Sequence, residues 1–241
     1  MRARLLHGPL LVLAYAIVPL PVSLAPDSLN RYRVTVGLGG GQWENEQFSC
    51  NGNLVSANKV PYSSGGAVFD AWATPNLRLS AWGGTFQPTP DSAPPAVRDY
   101  RGPFYGGQVA YEGRYFGIGG GVAHVSGLDG LSSPSAYLRF GSLDGVHARG
   151  DFFPPSPVLG STGWFRMGLG YGDGRVRKVG GFVGIAIPPP YGQKGMFTAY
   201  LKFPIAQHAD LELDGIAGQG ITYPQHGAAI SFRYAFGALR K

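Results

Sequence analysis

His124-Val125-Ser126 places an imidazole and a hydroxyl two residues apart at the end of a stretch that alternates apolar and polar side chains. In an extended strand, side chains at i and i+2 share a face, so a histidine base and a serine nucleophile would stand side by side. Serine attacks an ester carbonyl only when a base takes its proton, and a third polar group usually orients that base. Asp129 is the nearest acid in sequence. The outward positions expected on the next segment, Ala136, Leu138 and Phe140, offer no such group. By parity with Phe116, Ile118 and Val122, His124 and Ser126 belong to the apolar face.

A second set of residues carries charge on the opposite, polar face. Arg139, His147, Arg149, Arg166 and Lys178 come from four adjacent segments, with Asp151 the one acid expected beside them. Asp210, Glu212 and Asp214 form an acidic column on a later segment, with Lys202 and Arg233 on its two neighbours and Arg31 and Arg33 further on. A basic wall in a narrow, low-dielectric lumen draws anions. Arg139, His147, Arg149, Arg166 and Lys178 are therefore the expected pore-lining residues. A carboxylate column without compensation would be costly, so Lys202, Asp210, Glu212, Asp214 and Arg233 are expected to form inner-wall salt bridges.

Other chemistry finds little support. His124, His147, His208 and His226 lie on different segments or ends without metal-ligand spacing. Gly37-Leu-Gly-Gly-Gly41 lies inside a strand pattern with no following helix, unlike a dinucleotide-binding loop. Neither a metal nor a cofactor is expected. Cys50 has no internal partner and falls in a polar stretch.

The elements that must position these groups are twelve short alternating segments. Tyr32, Val34, Val36 and Leu38 oppose Arg31, Arg33, Thr35 and Gly37 in the first, and Ile230, Phe232, Tyr234 and Phe236 oppose Ala229, Ser231, Arg233 and Ala235 in the last. A helix would need apolar residues at i, i+3 and i+4. The pattern predicts strands near 31–42, 65–74, 77–86, 103–111, 115–124, 135–141, 145–153, 163–171, 178–187, 195–203, 208–217 and 227–236. Connections alternate long and short. The tight ones are 74–76, 112–114, 142–144, 172–177 and 204–207, and the long ones include 43–64, 87–102 and 154–162.

Short turns on one side, long loops on the other and an even strand number are the signature of an outer-membrane barrel. The expected fold is all-β: a closed antiparallel transmembrane β-barrel of about twelve strands, or ten if 135–141 and 145–153 are loop. A soluble β-sandwich would alternate too, but it has no reason to sort its loop lengths. Aromatic residues fall at both segment ends, as two interfacial girdles require. Tyr32, Tyr111, Phe116, Phe140, Tyr171, Phe203 and Phe236 lie toward the short turns, and Tyr105, Phe152, Phe165 and Phe197 toward the long loops.

Composition agrees. The 241 residues contain 39 glycines and 20 prolines, which disfavours long helices, and 44% hydrophobic against 14% charged residues is too apolar for a disordered chain. No apolar run reaches the eighteen residues of a membrane helix. Arg2 and Arg4 before the apolar run Leu10–Leu20, then Ser23-Leu24-Ala25, read as a signal peptide over 1–25 with the barrel over 26–241. Without Arg2 and Arg4 the formal charge of +6 becomes +4, scattered over strands, so a nucleic-acid partner is not expected.

Ile230-Ser-Phe-Arg-Tyr-Ala-Phe236 resembles the C-terminal strand signature of Gram-negative outer-membrane proteins, followed here by Gly237-Ala-Leu-Arg-Lys241. That resemblance implies a bacterial outer-membrane location, contact with outer-membrane lipid and recognition by the barrel-assembly machinery. In size and strand number the chain is similar to small monomeric porins for acidic oligosaccharides, a likeness of architecture alone. His124-Val125-Ser126 resembles the His-x-Ser arrangement of outer-membrane phospholipase A and the lipid A deacylases, where it sits on the lipid-facing surface. The expected function is a small passive pore with anion preference. The alternatives are a structural or adhesion barrel whose 43–64 and 87–102 loops do the work, or a lipid hydrolase using His124 and Ser126. Small anionic solutes are the partners that the pore implies.

Overall fold

The computed structural model describes residues 29–48, 50–51, 54–88, 102–125, 131–152, 165–172, 179–187, 196–218 and 224–239. The proposed signal peptide lies outside them, as do Ser126, Asp129 and Lys178.

Twelve strands follow one another in chain order: β1 (Leu29–Phe48), β2 (Leu54–Thr74), β3 (Leu77–Pro88), β4 (Gly102–Glu112), β5 (Phe116–Val125), β6 (Leu131–Gly141), β7 (Val146–Phe152), β8 (Phe165–Tyr171), β9 (Gly180–Ile187), β10 (Met196–Ala206), β11 (Ala209–Ala217) and β12 (Pro224–Leu239). Each pairs antiparallel with its neighbours, and β1 pairs with β12, so the sheet closes on itself. The segments whose strand character decides between ten and twelve, β6 and β7, are both present and paired from Ala136↔Phe152 to Gly141↔His147. Among the described residues there is no helix.

The barrel is inside-out relative to a soluble domain. Leu38, Ile118, Val122, Phe140, Val146 and Leu169 are all more than half exposed, while Arg139 and Asp151 are 0% and 1% exposed. A soluble protein does not tolerate a continuous apolar exterior of this kind; a closed barrel in lipid requires one. The aromatic rim at the short turns is packed ring on ring. Tyr32 faces Phe236 with ring centroids 5.4 Å apart, and Tyr111 and Phe116 meet at 5.4 Å beside the 113–115 turn.

One expected loop is largely strand. The 43–64 connection continues the β1–β2 ladder through Glu44↔Lys59 and Glu46↔Ala57 to Phe48↔Leu54, leaving a short tip that carries exposed Cys50. β12 stops pairing β1 at Trp43↔Pro224, and β3 stops pairing β2 at Tyr62↔Pro88. The ribbon therefore extends past the neighbouring strands of the barrel wall, where neither face need be apolar. Glu44-Asn-Glu-Gln47 accordingly shows no alternation. The adhesion alternative thus has a paired ribbon where a free loop was expected.

Candidate functional site

The inner wall is where the sequence concentrates charge, and the period of two explains how. Asp70 and Trp72 on β2, Arg78, Ser80 and Trp82 on β3, and Gln108 and Glu112 on β4 occupy alternate positions whose side chains turn inward. Strand pairing then sets them in rows. The network starts at Asp70, held by Arg33 of β1 (Nε to Oδ2, 2.8 Å), by Arg78 of β3 (Nη1 to Oδ1, 3.2 Å) and by the Ser80 hydroxyl. Arg78 also reaches Glu112 of β4 at 3.1 Å, and Arg139 of β6 reaches the same carboxylate at 3.5 Å. Tyr137 donates its hydroxyl hydrogen to Glu112 at 3.0 Å and accepts from Arg139 Nε at 3.0 Å. On β7 and β8, Arg149 and Arg166 share Asp151 at 2.9 and 3.2 Å.

β5 supplies no charge to this row, only glycine. Gly117 leaves the space through which Tyr137 reaches from β6 to Glu112 on β4: a Cβ there would come 2.8 Å from Glu112 Oε2 and 3.0 Å from the Tyr137 ring. Similar seating recurs where Trp82 lies against Gly106 and Phe182 against Gly168. The inward rings of Trp82, Tyr137 and Phe182 therefore occupy space left by glycines of the adjacent strand. Guanidinium groups cover several of these rings: Arg33 on Trp72 (5.1 Å), Arg149 on Tyr137 (5.2 Å) and Arg166 on Phe182 (5.1 Å), with Phe182 stacked on Tyr200 at 5.7 Å.

The five residues expected to line a pore divide into three groups. Arg139 is fully buried, and besides Tyr137 and Glu112 it donates to the Gly113 carbonyl (2.7 Å) and to that of Gly141, which ties two turns to the wall. His147, 1% exposed, sits over Gly170 with Nδ1 3.2 Å from the Ser142 carbonyl, bracing the 142–145 turn. Arg149 and Arg166 face the lumen through Asp151, and the Arg149 side chain keeps 14% exposure. Lys178 lies outside the described residues.

On the opposite wall Arg233 meets Glu212 of β11 in an ion pair. Register places Asp210 beside Arg233, Glu212 beside Lys202, and Asp214 beside Tyr200. Lys202, 1% exposed, donates to the Gly172 carbonyl at 2.5 Å. The sequence reading passed over Asp70, Arg78, Glu112 and Tyr137 as members of a charged site. Their signal was parity: each is an inward residue on a strand already recognised.

At the outer rim β6 begins at Leu131, four residues before the expected start, and this changes the surroundings of His124. Its register partner is Ser132, an outward polar residue whose Oγ lies 3.2 Å from His124 Nδ1. Tyr105 of β4 packs on the imidazole with centroids 4.7 Å apart. The polar neighbour missing from Ala136, Leu138 and Phe140 is thus present one strand-turn earlier.

No protein-family model and no curated protein matches this chain. Solved structures share its fold loosely. An outer membrane channel from Pseudomonas putida F1 has 10% identity and a TM-score of 0.40, covering 91% of this chain and 100% of its own. A triple mutant of the Rhodopseudomonas blastica porin has 7% identity and a TM-score of 0.40, covering 84% and 100%. The likeness is one of architecture. The closed, porin-like barrel itself stands on the twelve paired strands and their apolar exterior.

Proposed function

We propose that the chain is an integral barrel of the bacterial outer membrane that acts as a narrow passive pore preferring anions. The observation that carries this reading is the arginine surplus on the β1–β8 side of the inner wall. Among the described residues of β1–β8, Arg33, Arg78, Arg139, Arg149 and Arg166 share three carboxylates, Asp70, Glu112 and Asp151. In a low-dielectric lumen that imbalance favours a mobile anion over a cation. The exterior contacts outer-membrane lipid, and the aromatic last strand, which closes the barrel on β1, is the segment the assembly machinery would read. Single-channel recording of the refolded protein under a potassium chloride gradient tests the reading. The expected result is stable conductance with a reversal potential on the chloride side. Arg149→Ala with Arg166→Ala should lower the chloride-to-potassium permeability ratio severalfold, and an unchanged reversal potential excludes their role.

The Ser132 contact supports a second reading, a lipid hydrolase at the outer rim. In the tautomer whose Nδ1–H donates to Ser132 Oγ, His124 Nε2 keeps its lone pair and can act as the base for a serine nucleophile, Ser126. In mixed micelles of ester-linked phospholipid, fatty-acid release should be lost in His124→Ala and Ser126→Ala and fall more than about tenfold in Ser132→Ala. A wild-type barrel that releases no fatty acid sinks the hydrolase.

A further inference from the structure

We infer that Tyr137 is the positioning residue of an oxyanion site in the lumen. This rests on the pore reading and gives it a solute class: small carboxylates, sulfate and phosphate.

Three guanidinium groups from three strands converge on this one ring. Arg78 of β3 and Arg149 of β7 place their guanidinium carbons 5.7 and 5.2 Å from the ring centroid, and Arg139 of β6 donates to the hydroxyl. The arrangement has three layers. Gly117 leaves the wall bare, the Tyr137 ring fills that space, and the arginines lie on the ring. A ring face attracts a cation placed within about 6 Å of its centroid, and a ring fixed at its hydroxyl by Glu112 and Arg139 cannot swing away. Glu112, shared by Arg78 and Arg139, and Asp70 and Asp151 offset part of the charge, yet Asp70 also pairs Arg33 and Asp151 also pairs Arg166. A guanidinium presents a planar fork of donors that matches the paired oxygens of a carboxylate, sulfate or phosphate better than a spherical chloride. Arg166 repeats the layering on Phe182 above Gly168, so the arginine surface continues from β7 onto β8 and β9.

Tyr137 touches no solute in this scheme; it acts through the arginines. Its substitution should therefore lower oxyanion affinity by releasing the arginines it positions. The test is block of chloride current by inorganic sulfate in planar bilayers, with wild type, Tyr137→Leu and Tyr137→Phe. Folding of each is checked by its shifted gel mobility before and after heating. In the wild type, sulfate should reduce the chloride current. In Tyr137→Leu, which removes the ring face, the half-blocking concentration, read against that variant's own chloride current, should rise about tenfold. Tyr137→Phe keeps the face and should stay within about threefold of wild type. Equal sulfate block in wild type and Tyr137→Leu overturns the site and leaves the pore standing. A silent wild-type barrel sinks the pore reading instead. The site is then decided by melting temperature: sulfate should raise it in wild type and not in Tyr137→Leu, and the same response in both proteins, or none in either, overturns it.

Discussion

Asp70→Ala should destabilise the barrel by about 3–5 kcal/mol, the largest effect expected from any single charge removal. Asp70 is 2% exposed and accepts from Arg33, Arg78 and Ser80 together. Removing the carboxylate leaves two guanidinium groups facing one another across β1–β3. Glu112 remains for Arg78, but the ion pair of Arg33 with Asp70 is gone. The opposite manipulation is gentler. Removing Arg33, whose side chain keeps 17% exposure, leaves Asp70 with Arg78 and Ser80 and should cost less. Urea titration of refolded protein, followed by loss of the heat-modifiable gel band, measures both. Equal midpoints for Asp70→Ala and wild type would show that the network does not contribute to stability.

Gly168→Val should prevent β8 and β9 from closing, at a cost of roughly 3 kcal/mol or more. Gly168 and Gly184 are register partners, and a Cβ on Gly168 would come 2.6 Å from the Gly184 Cα and 2.8 Å from the Phe182 ring. The Gly184 Cα is backbone and cannot rotate away. The inner surface of a small barrel is concave, so inward side chains converge, and glycine allows adjacent strands to curve where they would otherwise collide. Gly117→Ala is the informative comparison. Its obstacles are side-chain ends, of Tyr137 and Glu112, rather than backbone. It should fold with a smaller loss. Yield of folded barrel after identical refolding separates the two, and a Gly168→Val protein that refolds as well as Gly117→Ala contradicts the close-approach argument.

Twelve strands, their order and the apolar exterior were legible in the chain. They follow from local rules: a side-chain period of two, turn composition, and a requirement that every outward position suit lipid. Where that requirement lapses, legibility lapses with it. Beyond Trp43 the β1–β2 ribbon extends past the neighbouring strands, its alternation disappears, and a paired hairpin passed for a loop. The start of β6 was missed for a similar reason. Leu131-Ser-Ser-Pro134 has no apolar alternation, yet those residues pair with β5 and bring Ser132 to His124.

The sequence by itself determined which residues face inward, and so that charge lines the lumen and apolar groups face lipid. Parity is a property of one strand and needs no neighbour. Which charges meet was decided by the tertiary structure alone, because partners depend on inter-strand register and on reach across intervening strands. Arg78 finds Glu112 on the next strand, but Tyr137 reaches Glu112 across β5 only because Gly117 leaves the path clear. The basic wall that looked nearly uncompensated in sequence is thus a network of shared carboxylates. Its surplus of arginine is gathered on an aromatic platform that only three-dimensional packing could assemble.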